Sequence, residues 1–300
     1  MPKAPLYTPG QTEPYKLSRT KIEEFIRCPR CLVLDVRHGI KKPGGVPFTL
    51  NVAVDNLLKR EFDIYRQSQS IHPLVSAAGL ELVPFSHPDL ETWRANTKGV
   101  RYVTEDNHFL VFGAVDDLWV DKDGVITVVD YKATGRQEAV VVLGEGGFYD
   151  GYRRQLEIYQ WLLRKNGFEV SNTGYWVYVT ATQKQERFDN VLHFEANLVS
   201  YEGSSSWVDE KLQEIYTALN EFDIPAPNSD CDVCSFFENR AELLLEQDDL
   251  IWPTCEKCGT RMHRISYGLQ AGPPPEGYVL GGCIVDENNP NAICLNCNPE

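Results

Sequence analysis

The segment GAVDDLWVDKDGVITVVDYK, residues 113–132, contains the clearest strand pattern of the chain. Its β-branched and aromatic residues predict two strands, at residues 111–120 and 125–131, and both strands carry charged residues. The tetrapeptide Asp-Lys-Asp-Gly at residues 121–124 predicts a tight turn that joins the strands as a hairpin. A hairpin with such apolar strands belongs in a buried sheet, where its charged side chains need partners.

Three charged side chains of this hairpin can share one pocket. Side chains alternate along a strand, so Asp130 and Lys132 project on one face and Tyr131 projects on the other. Pairing of the two strands can bring Asp116 beside them. Buried charge is costly unless it is paired or bound to a metal, so such a cluster is unfavourable as plain scaffolding. The alternative, for the hairpin alone, is a solvated turn with an ordinary salt bridge.

Composition restricts the class of protein. The chain has 300 residues, of which 42% are hydrophobic, enough for one substantial domain and a second small one. Its net charge of -14 argues against a broad basic surface, so any nucleic acid would have to be held locally and through metal ions. No stretch approaches the roughly 20 apolar residues of a membrane helix, and MPKAPLYTPG lacks the apolar core of a signal peptide. We therefore expect a cytoplasmic protein with no membrane partner.

The rest of the chain alternates between helical and strand patterns. Residues 1–16 are rich in Pro, Thr and Lys and are expected to form a flexible leader. A helix is predicted from Leu17 to Cys28, with Thr20-x-x-Glu23 as its capping box. Periodicity predicts four more helices, at residues 49–66, 90–96, 149–166 and 207–222, and three more strands, at residues 139–143, 174–180 and 190–196.

Polar residues on two of these helices are candidates for a functional site. Asp55 lies beside the apolar stripe of the helix at residues 49–66. Gln155 and Tyr159 are four residues apart on the helix at residues 149–166, so they lie on one face and can reach the same ligand. Asp55 could equally be an ordinary exposed acid, and Tyr159 could equally be a core aromatic residue.

Eight of the nine cysteines form four Cys-x-x-Cys pairs, and this spacing suits two thiolates on one metal ion. We therefore expect two metal sites in a reducing compartment. The last two pairs bracket a segment rich in Gly and Pro, which predicts a zinc ribbon after a domain boundary near residues 243–252. Cys283 and His263 are expected to be packed or exposed rather than ligands. The four pairs are Cys28/Cys31, Cys231/Cys234, Cys255/Cys258 and Cys294/Cys297.

The order of these parts is a helix with an acid, a strand with an acid, a strand with acid-x-lysine and a helix with Gln-x-x-x-Tyr. This order, in the segments LSRTKIEEFIRCPRC, GAVDD, VVDYK, QLEIY and CDVC, resembles the RecB-like branch of the PD-(D/E)XK nuclease superfamily, which includes exonucleases associated with CRISPR systems. The resemblance implies an α/β fold in which a restriction-endonuclease-like central mixed sheet is flanked by helices over residues 17–243. The small zinc ribbon would follow at residues 250–300.

The resemblance also implies roles for the residues of these segments. Asp116 and Asp130 match the acids that bind Mg or Mn, and Lys132 matches the catalytic lysine. Gln155 and Tyr159 match the motif that helps to place the DNA strand. These five residues are the candidate catalytic set.

Two further acids stand apart from the family pattern. Related nucleases carry a glycine and, four residues later, a histidine that adds a metal ligand, whereas the corresponding residues here are Asn51 and Asp55. Aspartate is a sound oxygen ligand for Mg²⁺ or Mn²⁺, so Asp55 is the third candidate ligand. Asp117 follows Asp116 directly and points to the other face, so we expect it to be a neighbour of the site.

The pairs Cys28/Cys31 and Cys231/Cys234 would close a loop of about two hundred residues, and metal binding there should constrain the unfolded chain. RecB-like relatives commonly hold a [4Fe-4S] cluster with one early cysteine and three late ones. The place of the last cysteine is taken here by Arg240. The two-plus-two arrangement fits a [4Fe-4S] cluster, which we favour, or a tetrahedral Zn²⁺.

The expected function is Mg²⁺- or Mn²⁺-dependent cleavage of DNA phosphodiesters, most plausibly by an exonuclease that acts on single strands or ends. The alternative is a nuclease-fold DNA-binding or adaptor protein in a repair, mobile-element or CRISPR-related assembly. The predicted ribbon has few Lys or Arg residues, so a protein partner suits it at least as well as nucleic acid.

Overall fold

The structure is a computed structural model that describes residues 5–45, 48–251, 253–268, 273, 277–281 and 290–298, with side chains described outside 245–251. The chain divides into two compact units, residues 1–229 and 230–300. In the part of the chain that is described, no helix combines the length and the apolar character needed to cross a membrane.

The first unit alternates helices and strands. Its elements, in chain order, are β1 (Tyr15–Ser18), α1 (Arg19–Arg27), α2 (Pro29–His38), α3 (Thr49–Ser68), α4 (Pro73–Ala77), β2 (Val83–Pro84), α5 (Leu90–Arg94), β3 (Val100–Val103), β4 (Phe109–Gly113), β5 (Asp117–Val120), β6 (Ile126–Arg136), α6 (Gly147–Lys165), β7 (Thr173–Thr182), β8 (Phe194–Glu202) and α7 (Val208–Asn220).

A five-stranded mixed sheet in the order β2-β5-β6-β7-β8 forms the centre of this unit. Strands β5 and β6 are antiparallel, β6 and β7 are parallel, and β7 and β8 are antiparallel. Helix α6 makes the crossover that a parallel pair requires. Helices cover both faces, because α6 packs Leu156 and Ile158 on one side and α3 packs Phe62 on the other. The expected α/β fold with a central mixed sheet is therefore confirmed.

Strand β6 lies at the middle of this sheet and is buried on both faces. Its first six residues, Ile-Thr-Val-Val-Asp-Tyr, are all buried, as expected of a central strand that is covered by helices on both sides. Five of these six are β-branched or aromatic residues, which suit a strand, and the exception is Asp130. A carboxylate in the centre of an apolar strand marks the position of the candidate site.

The predicted hairpin is correct in its turn and second strand, but its first strand is interrupted. Gly124 donates to the carbonyl of Asp121 at 3.2 Å, and β5 pairs with β6 directly beyond this turn. The predicted strand at 111–120 is split, because β4 belongs to a separate three-stranded sheet in the order β1-β4-β3 and β5 to the central sheet. Residues 114–116 make this change of sheet, which places Asp116 in a bend beside β6.

The expected flexible leader contains packed residues. Tyr7 is buried, and its backbone N–H donates to the carbonyl of Val36 at 2.8 Å. Strand β1 begins at Tyr15, within the predicted leader, and pairs in parallel with β4. The helix that follows is capped by Ser18 rather than by the predicted box at Thr20, because β1 brings the Ser18 hydroxyl to the first free backbone N–H groups.

Two predicted strands differ from the structure. Residues 139–143 are not a strand, because β5 and β7 already occupy both edges of β6. Val140 and Leu143 are buried in that segment without strand pairing, which explains its apolar pattern. The strand predicted at residues 190–196 begins at Phe194 and continues to Glu202.

The second unit contains one long helix and a small sheet. Its described elements are α8 (Asp232–Ile251), β9 (His263–Ser266), β10 (Tyr278–Leu280) and β11 (Ala292–Ile293), and the sheet order is β10-β9-β11. The boundary predicted near 243–252 falls on the last two turns of α8, whereas the units divide between residues 229 and 230. Cys283, expected to be packed or exposed, lies outside the described residues.

Candidate active site

Asp130 is the centre of the site. Its side chain is fully buried, and its Oδ1 accepts a hydrogen bond of 2.7 Å from Nε2 of Gln155. Its Oδ2 pairs with the Lys132 ammonium. Burial raises the pKa of Asp130 to about 7, the charge of Lys132 opposes the rise and that of Asp116 adds to it. The effect of burial on the Asp130 carboxylate is therefore larger than the stabilisation that the Lys132 charge gives to its ionised form.

Lys132 lies on the same face of β6 as Asp130, as the strand alternation predicts. Its Nζ lies 3.3 Å from Oε1 of Gln155 and 4.6 Å from the centre of the Tyr152 ring. Burial would lower the pKa of Lys132, but the charges of Asp130 and Asp116 outweigh burial and raise it. The side chain is therefore an ammonium ion, which suits charge compensation better than proton abstraction.

Asp116 approaches this pair from the bend before β5. Its Oδ2 accepts a hydrogen bond of 3.0 Å from the backbone N–H of Tyr131, and its carbonyl accepts one of 3.1 Å from Nε of Arg94. The side chain is about one-quarter exposed, so one side of the carboxylate remains open to solvent. The backbone contacts fix Asp116 next to Asp130. We call Asp116, Asp130, Lys132 and Gln155 the acidic pocket.

The donor set of the acidic pocket fits a hard divalent cation. Mg²⁺ and Mn²⁺ prefer carboxylate and amide oxygens, and two carboxylates are offered here, by Asp116 in the bend before β5 and by Asp130 on β6. Two like charges with one ammonium leave a net negative charge, which is consistent with the raised pKa of Asp130. Asp116 and Asp130 are thus the residues that would hold the metal.

Asp55 does not join the two carboxylates in this structure. Its Oδ2 lies 2.9 Å from Nζ of Lys59, and the same Nζ lies 3.3 Å from Oδ1 of Asp116. Among the described residues, Asp55 belongs to no convergent group of three or more possible ligands. The Lys59 ammonium separates the two acids, so the expected third ligand role of Asp55 stays a prediction.

Lys59 was missed by the sequence interpretation. Burial would lower its pKa, but the charge of Asp116 and the hydrogen bond that Lys59 donates to Asp55 raise it. Burial raises the pKa of Asp55, and the hydrogen bond from Lys59 opposes this rise. The spacing of Asp55 and Lys59 by four residues on a helix does predict an ion pair. The sequence contains no sign that the ammonium also reaches Asp116.

Asp117 points away from the acidic pocket, as the strand alternation predicts. Its carboxylate is fully buried and accepts hydrogen bonds from Arg66, from Nη2 of Arg94 at 3.0 Å and from the Tyr131 hydroxyl at 2.7 Å. Asp63 completes the set by accepting from both arginines at 3.0 Å. We call Asp63, Arg66, Arg94 and Asp117 the arginine network.

Gln155 and Tyr159 lie on one face of α6, and both side chains are buried. Nε2 of Gln155 also donates to the Tyr159 hydroxyl at 3.1 Å, which connects Tyr159 to Asp130. Gly113 lies against this tyrosine, because a Cβ at Gly113 would be 2.6 Å from the ring. Gly113 is thus a second residue that the sequence did not identify. Its only signal was a glycine directly before the Asp116 motif.

The four cysteines predicted for the ribbon are close together in the second unit. The Sγ atoms of Cys255 and Cys297 are 3.8 Å apart, those of Cys258 and Cys294 are 3.5 Å apart, and all four lie within 4.8 Å of one another. Hydrogen bonds from the following backbone N–H groups lower the pKa of Cys255. Such a turn favours thiolates, so the group could hold a metal ion.

The other predicted set of cysteines is divided between the two units. Cys28 and Cys31 lie at the beginning of α2 in the first unit, and Cys231 and Cys234 lie at the beginning of α8 in the second. Cys28 and Cys234 are buried, and the other two are half-buried. Their shared metal ion stays a prediction.

Comparison with known families gives an independent result. The family model for the PD-(D/E)XK nuclease superfamily matches residues 41–238. This range contains the whole acidic pocket and the pair Cys231/Cys234. A search among curated proteins found no match.

Proposed function

Because the chain belongs to the PD-(D/E)XK nuclease superfamily, we propose that it hydrolyses nucleic-acid phosphodiesters at the acidic pocket with Mg²⁺ or Mn²⁺. The main support is the buried Asp130. Its carboxylate lies with Lys132, Gln155 and Asp116, and the charge of Lys132 compensates its negative charge only in part. A pocket built only for stability would be expected to balance its charges.

The side chains of the pocket have separable tasks in this proposal. A divalent cation at Asp116 and Asp130 would supply Lewis-acid activation of water and charge compensation for the phosphate. Lys132, held as an ammonium ion, would neutralise charge that develops on the phosphate oxygens. Gln155 positions both Asp130 and the ammonium through its amide, and Tyr159 supports Gln155.

We propose DNA as the substrate and the RecB-like branch as the place of this chain in the superfamily. The support is the order of its five sequence segments, among which Gln-x-x-x-Tyr is a motif that helps to place a DNA strand. Exonucleolytic action on single strands or ends is the preferred form of this activity.

The direct test is a cleavage assay on labelled single-stranded DNA, duplex DNA and RNA with Mn²⁺, Mg²⁺ or EDTA. We expect cleavage of DNA that requires the metal, and a loss of about a thousandfold in Asp130→Asn, since metal catalysis supplies several kcal/mol. Lys132→Met should also lose activity. Asp123→Asn, an exposed acid of the β5–β6 turn, is the matched control and should cut normally.

Equal cleavage by wild type and Asp130→Asn would contradict the assignment of the site. DNA binding without cleavage under any metal condition would favour the adaptor function. One contact supports that second candidate, because the Lys59 ammonium already compensates part of the charge on Asp55 and Asp116 without a metal.

For the cysteines we propose one metal centre in each set. A [4Fe-4S] cluster is the preferred occupant at Cys28, Cys31, Cys231 and Cys234, with Zn²⁺ as the alternative. Zn²⁺ is proposed at Cys255, Cys258, Cys294 and Cys297, in a ribbon that docks to a protein partner. Metal analysis and the visible spectrum of anaerobically purified protein test both. Iron with sulfide absorption and one zinc is expected, and two zincs without iron would overturn the cluster.

A further inference from the structure

A group of aromatic rings borders the acidic pocket at the beginning of α6. Phe148, Tyr149 and Tyr152 lie in its first two turns, and the Phe148 ring centre is 5.4 Å from that of Tyr149 and 4.9 Å from that of Tyr152. The Phe148 side chain is 59% exposed, although it is a large apolar ring. The cleavage chemistry proposed above uses none of these rings.

Two cations connect these rings with the pocket. Nζ of Lys132 lies 4.6 Å from the centre of the Tyr152 ring. Arg136 lies four residues beyond Lys132 on the same face of β6, about 13 Å along the strand at ~3.3 Å per residue. Its Nη2 donates to the Tyr149 hydroxyl at 2.8 Å. We call Phe148, Tyr149, Tyr152 and Arg136 the aromatic ledge.

The charge of the aromatic ledge indicates the kind of ligand that it binds. The chain carries a net charge of -14, yet Arg136 is exposed and pairs with no carboxylate among the described residues. The exposed Phe148 ring and the Arg136 guanidinium both contact Tyr149, and together they match a ligand that alternates flat apolar groups with anions. A single strand of nucleic acid has this alternation, whereas the bases of a duplex are stacked and paired with one another.

We propose that the aromatic ledge binds an unpaired DNA strand, with a base stacked on Phe148 and a phosphate held by Arg136, and thereby directs single strands into the acidic pocket. The inference rests on the proposed nuclease function for the role of the pocket, but the binding itself needs no cleavage. It assigns the preference for unpaired strands to residues outside the catalytic set.

The test measures binding of fluorescein-labelled oligo(dT) in EDTA, so that no strand is cut. Three probes are compared: a 20-nucleotide oligo(dT) strand, the same strand with abasic sites in place of its bases, and a duplex. Stacking of one base contributes enough that Phe148→Ala should weaken binding of the normal strand about tenfold. Binding of the abasic strand should change less than about twofold, because it has no bases to stack.

Two further variants separate stacking from other effects. Arg136→Ala should weaken binding of the normal and abasic strands equally, because it removes a phosphate contact. Phe222→Ala is the matched control, since Phe222 is an exposed phenylalanine beyond the end of α7 and should leave all affinities unchanged. Circular dichroism melting verifies that each variant is folded.

The outcomes distinguish this inference from the proposed function. Unchanged affinity in Phe148→Ala, or an equal loss for the normal and abasic strands, would overturn the ledge while cleavage could still be present. Base-dependent loss in a chain that cuts no DNA would retain the ledge and remove the nuclease. Wild-type protein that binds duplex as tightly as the single strand would also contradict the inference.

Discussion

Asp116 and Asp117 are neighbours in the sequence, but their carboxylates lie in two opposite environments. In the arginine network, Asp117 and Asp63 face Arg66 and Arg94, so two negative charges meet two positive charges. The exposed Glu91 also reaches Arg94, at 3.3 Å, from the solvent side. Its hydrogen bonds occupy both oxygens of Asp117. A network of this kind needs no further ligand and holds α3 and α5 against the sheet.

The acidic pocket has the same residue types and the opposite balance. Together with the adjoining Asp55 and Lys59, it contains three carboxylates and two ammonium groups. Burial raises the pKa of Asp130 to about 7, so the charge of its carboxylate is only partly compensated. The comparison teaches that the number of buried acids does not mark a cation site. A cation site is marked instead by an excess of acids over the Lys and Arg side chains that pair with them.

The arginine network should lose stability when one of its acids is neutralised. Asp117→Asn leaves the two arginines with only the partly exposed Asp63 and the exposed Glu91, and breaking a buried pair of this kind costs about 3 kcal/mol or more. We expect the free energy of unfolding in urea to fall by about this amount. Asp123→Asn is the exposed control and should unfold like the wild type. A change below about 0.5 kcal/mol in Asp117→Asn would show that the network is not structural.

The acidic pocket should respond to pH in the opposite sense to a paired carboxylate. The pKa of Asp130 rises from 3.8 to about 7 on folding, so its contribution to metal-free stability is full below pH 3.8 and is lost as the pH rises through 7. A bound cation should restore the stability that is lost at high pH. We expect Mn²⁺ to raise the melting temperature about 3 °C more at pH 8 than at pH 5.

Asp130→Asn serves as the control for this pH dependence, because it has no carboxylate to titrate. Its melting temperature should respond equally little to Mn²⁺ at both pH values. The account fails if the wild type gains as much from Mn²⁺ at pH 5 as at pH 8.

The smallest expected effect concerns Lys59, whose ammonium lies against Asp116. Lys59→Gln removes a charge that competes with the metal for this carboxylate, so Mn²⁺ affinity should rise roughly fivefold, as expected for partly screened charges. Isothermal titration with Mn²⁺ measures this change. Arg60→Gln, a neighbouring exposed cation, should change it much less. Weaker Mn²⁺ binding in Lys59→Gln would indicate that Lys59 positions the ligands instead.

Much of the fold followed from local patterns. The run of β-branched residues in β6 and the periodicity of α6 are set by short-range chemistry, so the sequence predicted both elements and the shared face of Gln155 and Tyr159. Residues 139–143 have the same apolar character as a strand, but pairing depends on a free sheet edge. Beside β6 no edge is free, because β5 and β7 take its two sides.

The candidate site was predictable only in part for a related reason. Alternation along β6 predicted that Asp130 and Lys132 face one way, and the adjacency of Asp117 to Asp116 predicted that Asp117 faces away from the pocket. The reach of Lys59 to Asp116 and the contact between Gly113 and Tyr159 join residues 57 and 46 positions apart. Such contacts arise from tertiary packing, which single-sequence patterns do not contain.

The central claim is that the acidic pocket takes up a divalent cation and the arginine network does not. Isothermal titration of the intact protein with Mn²⁺ tests it most directly, on wild type, Asp130→Asn and Asp63→Asn. The account predicts that Asp63→Asn binds Mn²⁺ like the wild type and that Asp130→Asn shows no binding at this site. Equal Mn²⁺ binding by Asp130→Asn and wild type, or loss of binding only in Asp63→Asn, would contradict it.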